Sequence, residues 1–114
     1  RFMDNKKDNR YYINKIITDL VFITYHTENL TIEELEENEI LVDSMMFRLI
    51  QISENSDRLT EDFKENHRVI PWRAVKGLRN RIVHEYGNVD MSVVYDTVKN
   101  DIPELLKEFR NIME

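Results

Sequence analysis

Apolar residues recur at helical intervals along most of the chain, and the first such run is the clearest. Between residues 10 and 26 they follow each other at spacings of three and four, as in a helix that buries one stripe. The stripe consists of Ile13, Ile16, Ile17, Leu20 and Val21. The pattern therefore predicts a first helix over residues 10–26.

A second helix is predicted over residues 32–58. It begins after Thr31, because Thr31 and Glu34 have the spacing of a capping box, in which each side chain accepts a hydrogen bond from the other residue's backbone amide. Its middle, residues 40–52, is apolar around more than one stripe. Such a helix either lies at the centre of a bundle or faces the core on one side and another subunit on the other.

The second half of the chain is predicted to hold a short helix over residues 60–66 and two longer ones. Pro71 suits the first turn of a helix that runs to about Tyr86, with Gly87 just past its end. Asp90 can cap the start of the last helix with its side-chain oxygen.

The last helix carries Pro103, which lacks a backbone amide and should kink or restart the helix near Asp101. No segment alternates apolar and polar residues as a half-buried strand would. The predicted fold class is therefore all-α. We expect one domain over residues 1–114, an up-and-down bundle of four main helices plus the short one.

Composition agrees with a helical protein of the reducing cytoplasm. The 114 residues include only two glycines and two prolines, which leaves few places for tight turns. There is no cysteine, so disulfides and thiolate zinc sites are excluded and nothing argues for an oxidising compartment. No apolar run approaches the roughly 20 residues of a membrane span, so no membrane association is expected.

The charge is unevenly distributed. The net charge of −6 by itself argues against a nucleic-acid partner. Residues 66–84, however, contain five basic residues and no acidic one, so the other 95 residues carry −11. The basic residues are Arg68, Arg73, Lys76, Arg79 and Arg81. This segment can attract phosphate groups, and Arg73, Lys76 and Arg81 are candidate contacts to RNA.

The basic segment runs into a stretch with candidate chemistry, from Arg79 to Tyr86. His84 titrates near neutral pH and can move a proton. Arg79 matches phosphate oxygens and can stabilise the charge of a phosphorus transition state, while Asn80 can orient either group. This set suffices for RNA without a metal, because the 2′-hydroxyl is a built-in nucleophile. The same residues also fit the solvated end of an amphipathic helix.

Helix geometry complicates a single site made of Arg79 and His84. The two residues are five apart, which places them roughly 140° out of phase in a regular helix. Two arrangements would bring them to one small group. Either the helix frays before Gly87 and swings His84 round, or two copies of the helix meet across a two-fold axis and pool their residues.

A metal site or a bound cofactor is not predicted. The three histidines, His26, His67 and His84, show no spacing typical of metal ligands. Gly77 and Gly87 stand alone, so the chain has no glycine-rich phosphate loop.

The pattern Arg79-x-x-x-x-His84-x-Tyr86, with a polar residue after the arginine, closely resembles the signature of the HEPN superfamily, and in particular of its HepT-like toxins. The similarity extends over nearly the whole chain. The segment "IPWRAVKGLRNRIVHEYGNVD" resembles the most characteristic part of that family, "LIQISENSDRLTEDF" resembles its central helix, and "VVYDTVKNDIPELL" resembles its closing helix.

The resemblance implies a metal-independent endoribonuclease, the toxin of a type II or type VII toxin–antitoxin pair. Its partner would be a minimal MNT-type nucleotidyltransferase, the antitoxin. Family members are homodimers with a composite site at the interface. In that site Arg79 would hold the scissile phosphate, Asn80 would support it and His84 would act in acid–base chemistry. Tyr86 would be the residue that the antitoxin adenylylates, which would block the cleft with a bulky anion. A larger hetero-oligomer with the antitoxin stays open.

One departure from the family lies in the central helix. Relatives often have glycine and alanines around Glu54, where this chain has Ser53, Asn55 and Ser56, so helix packing or dimer geometry can differ here. Two other functions remain as alternatives. One is a non-catalytic module that binds a nucleotide or a partner enzyme through the motif, and the other is a structural bundle whose role is complex formation.

Overall fold

The computed structural model describes residues 7–84 and 88–113, which form helices around one hydrophobic core. The helices are α1 (Asn9–Thr27), α2 (Ile32–Glu37), α3 (Glu39–Asp57), α4 (Glu61–Asn66), α5 (Trp72–Lys76), α6 (Leu78–Ile82), α7 (Met91–Asp96) and α8 (Ile102–Ile112). A π-helical segment, Thr97–Asp101, joins α7 to α8, and two short strands, β1 (Val83–His84) and β2 (Asn88–Val89), follow α6. The predicted all-α helical fold is confirmed.

The first helix is where the apolar stripe predicted it. The side chain of Asp8 accepts a hydrogen bond from the amide of Tyr11 and so caps the start of α1. α1 packs against both α3 and α8. The core that these helices share with the rest of the fold consists of Ile13, Ile16, Leu20, Ile23, Met45, Leu49, Ile52, Val98, Ile102 and Phe109, among others.

The predicted helix over residues 32–58 is wrong as one continuous element, because it breaks at Asn38. The capping box of Thr31 and Glu34 is present, with distances of 2.9 and 3.1 Å. Asn38, however, leaves the helical region at φ −106° and ψ 83°, and its side-chain oxygen accepts a hydrogen bond from the amide of Leu41. Asparagine competes for backbone groups in this way and favours a cap over a helix interior.

The helix predicted from Pro71 to Tyr86 is also wrong in its extent. Pro71 lies just before α5 and not inside its first turn. The run is interrupted at Gly77 and ends at Ile82, where the backbone becomes extended at Val83 (φ −108°, ψ 122°). Val83 pairs with Val89 and His84 pairs with Asn88 in an antiparallel ladder. The connection of this hairpin, residues 85–87, is outside the described residues, so Tyr86 and Gly87 are too.

The last helix restarts near Asp101, as predicted. Asp90 caps α7, since its side chain accepts hydrogen bonds from the amides of Ser92 and Val93. The π-helical segment then precedes Pro103, which lies in the first turn of α8, where its missing amide costs no hydrogen bond. Lys99 of this segment donates hydrogen bonds to the carbonyl oxygens of Thr27 and Glu28, at the end of α1.

The apolar middle of α3 is divided between core and surface. Met45 and Leu49 are fully buried, whereas Ile40 is 80% and Phe47 is 58% exposed. α3 packs against α1, α2, α5 and α6, but it is not buried on all sides and presents apolar side chains to the surface. Among the described residues, no helix combines the length and the apolar character needed to cross a membrane.

Candidate active site

Arg79 and Asn80 lie on the exposed face of α6. The two side chains are neighbours, and Arg79 Nη1 lies 3.4 Å from Asn80 Oδ1, to which it donates a hydrogen bond. Within residues 7–84 and 88–113, Arg79 has no ion pair. Its guanidinium therefore keeps its hydrogen-bond donors available for an anion such as a phosphate.

The end of α6 changes the relation between Arg79 and His84. The calculated phase difference of roughly 140° requires a regular helix through both residues, and α6 ends at Ile82. His84 instead belongs to the strand that follows, where its backbone pairs with Asn88. The helix therefore ends before Gly87, as the first of the two arrangements requires. The second, in which two copies pool their residues, stays a prediction. The description of His84 covers its backbone only.

Arg81, one of the candidate RNA contacts, is engaged within the fold. Its Nη1 lies 2.6 Å from Asp101 Oδ2, and its Nη2 lies 3.9 Å from Asp96 Oδ2. All three side chains are more than one third exposed, so such pairs contribute little to stability. The pair with Asp101 does, however, connect α6 to the π-helical segment. Arg81 lies two residues before Val83, where the strand β1 begins.

Arg73 and Lys76 belong to α5 and precede Arg79 of α6 by six and three residues. All three side chains are exposed, and none has an ion pair among the described residues. By contrast, Arg68 lies 3.8 Å from Glu65. Three uncompensated cations within seven residues produce a positive surface that continues to Asn80. Of the predicted site residues, Arg79 and Asn80 are in direct contact.

The cavity beside this surface has a different character. It has a volume of about 310 Å³ and lies between α5, α6 and α8. Its polar lining is mainly acidic, with Asp101, Glu104 and Glu108 around Arg81. Burial raises the pKa of the Glu108 carboxyl, and the nearby charge of Glu104 raises that pKa further. A phosphate backbone would be repelled here, so the positive surface and not this cavity is the candidate path for a polyanion.

Trp72 and Ser53 hold the start of the motif segment. Trp72 Nε1 donates hydrogen bonds to the carbonyl oxygens of Lys64 and His67, each at 3.1 Å. The hydroxyl of Ser53 donates one to the carbonyl oxygen of Lys76 at 2.5 Å. Ser53 thus ties α3 to the end of α5.

The sequence did not reveal Asp96 and Asp101 as partners of the motif. They follow Arg81 by 15 and 20 residues, and no local pattern connects them to it. Among residues 7–84 and 88–113, no group of three or more histidine or acidic side chains is placed to bind a metal ion.

Nearly the whole chain is similar to proteins named as ribonucleases. A family model described as "Ribonuclease HepT-like" matches residues 15–112. A protein of Thermococcus cleftensis named "Probable ribonuclease HepT" is 30% identical over 107 residues, which are 94% of this chain and 97% of that protein.

Two further relatives carry the name "Putative RNase". One, from Caldanaerobacter subterraneus, is 27% identical over 108 residues, 95% of this chain and 96% of the relative. The other, from Methanocaldococcus jannaschii, is 29% identical over 109 residues, 96% of this chain and 90% of the relative. No solved structure matches the chain.

Proposed function

This chain belongs to the HepT-like family of ribonucleases, and we propose that it is an endoribonuclease toxin that cleaves RNA without a metal ion. Arg79 binds and stabilises the scissile phosphate, Asn80 orients it and His84 moves the proton. The observation that carries this assignment is the exposed pair of Arg79 and Asn80 without an ion pair, on a positive surface where α6 gives way to the strand of His84.

The reaction needs one general base, one general acid and a cation that stabilises the charge of the transition state. The 2′-oxygen of the RNA attacks phosphorus as His84 takes its proton, and the bond from phosphorus to the 5′-oxygen breaks. The leaving oxygen receives a proton, and the products are a 2′,3′-cyclic phosphate and a 5′-hydroxyl. Arg79 stabilises the extra negative charge on the phosphate oxygens in the transition state. In a homodimer the second copy's His84 can supply the acid.

The test is RNA cleavage by the purified chain in the presence of a chelator. Arg79→Ala and His84→Ala should each lower the cleavage rate by about 10²- to 10⁴-fold. Arg68→Ala is the matched control, because it removes an exposed cation of the same basic segment that is paired with Glu65. Equal cleavage by all four proteins would contradict the assignment. A wild type that binds RNA without cleaving it would favour a non-catalytic binding module.

A homodimer with a shared site is part of the proposal. Met46 precedes Ser53 by seven residues and therefore lies on the same side of α3, the side from which Ser53 contacts α5. Met46 packs against the core and is only partly buried, so its remaining surface would be apolar surface for a second copy next to the motif. Mixing Arg79→Ala with His84→Ala should then restore part of the cleavage rate. Sedimentation as a monomer at micromolar concentration, with no restoration on mixing, would exclude the shared site.

The antitoxin is, in this proposal, an MNT-type nucleotidyltransferase that adenylylates Tyr86. The support is the family membership together with the position of Tyr86 two residues after His84, where an added anionic nucleotide would repel RNA. Co-expression with the partner should add AMP units to the intact mass of the chain. Tyr86→Phe should remove them, whereas Tyr25→Phe, at a tyrosine that is 74% exposed, should not. Full modification of Tyr86→Phe would exclude that acceptor.

A further inference from the structure

A groove runs between α1 and α3, on a part of the surface that the motif does not use. Two adjoining cavities of about 370 and 350 Å³ form it. They share Tyr11 and Lys15 from α1 and Gln51 from α3, so they are two parts of one depression. Each has the volume typical of a site for a small molecule or a single monomer of a polymer.

Two aromatic rings open into this groove. Tyr11 is 40% exposed and Phe47 is 58% exposed, and both line the larger cavity. The ring of Tyr12 meets that of Tyr11 edge to face at 5.1 Å and limits its rotation. Exposed rings that are held in place on a polar surface are the usual platforms on which the bases of single-stranded nucleic acids stack.

Cations surround these rings. The ammonium groups of Lys7 and Lys15 lie 5.2 and 5.8 Å from the centre of the Tyr11 ring. Neither lysine has an ion pair among the described residues, and the same holds for Arg58 at the end of the groove. Arg48 differs, because Asp19 lies 2.8 Å from its guanidinium. Two acidic side chains line the groove, Asp19, which is paired with Arg48, and Glu54. Three cations without an ion pair therefore face one acidic side chain without one.

Asn55 supplies a polar group without a partner. Its side chain is only 6% exposed and lines the smaller cavity. Within the described part of the chain, the amide of this side chain has no hydrogen bond. The edge of a nucleotide base presents both donors and acceptors that can pair with this amide.

We propose that the groove between α1 and α3 is a second contact site for single-stranded RNA, in which Tyr11 and Phe47 stack bases, Lys7 and Lys15 hold phosphates and Asn55 pairs with a base edge. This inference rests on the proposed function, since it concerns the same substrate. Ser53 and Asn55 lie about 200° apart around α3. Because Ser53 contacts α5, the groove lies across α3 from the motif segment. It therefore binds the RNA strand at a distance from the bond that is cleaved.

The test is the affinity of the full chain for a fluorescent, unstructured RNA of about 16 nucleotides, in the His84→Ala background that keeps the RNA intact. Tyr11→Ala and Phe47→Ala should each weaken binding by about tenfold, as the loss of one stacked base does. Tyr11→Phe should retain the affinity, because stacking needs the ring and not the hydroxyl group. Lys15→Gln should weaken binding several-fold and reduce the salt dependence by about one counterion.

Matched controls come from outside the groove. Tyr25→Ala removes an exposed tyrosine from the same helix, and Lys107→Gln removes an exposed lysine from α8. Both should leave the RNA affinity unchanged. In the cleaving protein, Tyr11→Ala should raise KM for this RNA at nearly unchanged kcat, and it should leave cleavage of a dinucleotide unaffected.

The outcomes separate this inference from the proposed function. If the wild type cleaves RNA but the groove variants bind it as tightly as the controls do, the groove is not an RNA site and the motif assignment survives. If the groove variants keep their RNA affinity but lose a partner protein, the groove is a protein-binding site and the inference is again wrong. If the wild type neither binds nor cleaves RNA, both proposals fail.

Discussion

The helices α1 and α3 and the motif segment from α5 to β1 are built in opposite ways. α1 and α3 are each 19 residues long and unbroken. The motif segment consists of two five-residue helices and a two-residue strand. Buried apolar stripes stabilise α1 and α3. A few polar contacts to neighbouring elements position the motif segment.

The two regions therefore have different roles, one in the stability of the fold and the other in its chemistry. Long helices with fully buried side chains such as Ile16 and Leu49 supply apolar burial, the dominant favourable term in folding. The motif segment buries Val75, Leu78 and Ile82 but exposes Arg79 and Asn80. A short, interrupted segment can present polar groups outward, because its orientation depends on contacts elsewhere in the fold. We therefore expect substitutions in the first region to unfold the protein and substitutions in the second to change its activity.

Leu49→Ala should have the largest effect on stability. The side chain is fully buried in α3, so its truncation leaves a cavity and should lower the free energy of unfolding by about 2–5 kcal/mol. Denaturant unfolding followed by circular dichroism measures this change. Ile40→Ala, on the same helix but 80% exposed, should change the free energy by about 0.5 kcal/mol or less. Similar losses for both variants would contradict the core assigned to α3.

Asp101→Asn should reduce activity with little effect on stability. The substitution weakens the contact of Asp101 with Arg81, so the strand that contains His84 is positioned less precisely. We expect kcat for RNA cleavage to fall by between about 10- and 100-fold, while the free energy of unfolding changes by no more than about 1 kcal/mol.

A charge swap tests whether this pair acts as a positioning contact. Arg81→Asp alone should reduce kcat, and Arg81→Asp combined with Asp101→Arg should restore part of it. Glu65→Gln, which breaks the exposed pair with Arg68, is the control and should leave kcat unchanged. A full kcat in Asp101→Asn would show that the pair has no role in positioning the motif.

Glu108→Gln should give the smallest effect, a slight gain in stability that depends on pH. Burial and the charge of Glu104 raise the pKa of Glu108 in the folded chain above its ordinary value of 4.5. The folded state therefore binds the proton more tightly. The stabilisation from this tighter proton binding is fully present below the pKa of Glu108 in the unfolded chain. It is lost as the pH rises through the pKa of Glu108 in the folded chain.

At pH 7 the glutamine variant lacks this partly buried charge and should be more stable by about 0.5 kcal/mol or less. The gain should disappear as the pH falls to about 4, near the pKa of an unperturbed glutamate. Glu36→Gln makes the same charge change on the exposed face of α2 and should show no such trend. A gain that grows toward acidic pH would contradict the direction of the pKa shift.

Local signals in the sequence predicted several elements correctly. The stripe of Ile13 to Val21 predicted α1, and Thr31 and Asp90 predicted two helix starts. Each of these signals acts over a few neighbouring residues, through helix periodicity or a cap. Asn38 was missed because asparagine is tolerated in a helix and caps one, and the choice depends on how α2 and α3 pack.

The candidate site was predictable in residue types and not in geometry. Arg79, Asn80 and His84 could be named because their chemistry and spacing resemble a known motif. That the helix ends at Ile82 could not be read from "RNRIVHEY", since Val83 forms its strand with Val89, six residues further along the chain. Where the local residues are also compatible with a helix, tertiary contacts determine whether they form a strand.

The chain alone determined the helical class, most helix starts and the residue types of the motif, because these depend on interactions between residues a few positions apart. The tertiary structure alone decided the contact of Arg81 with Asp101, the hydrogen bond from Ser53 to α5 and the groove that joins Tyr11 to Phe47. Each of these links residues 20 or more positions apart. Their approach depends on how whole helices pack, and no local pattern encodes that packing.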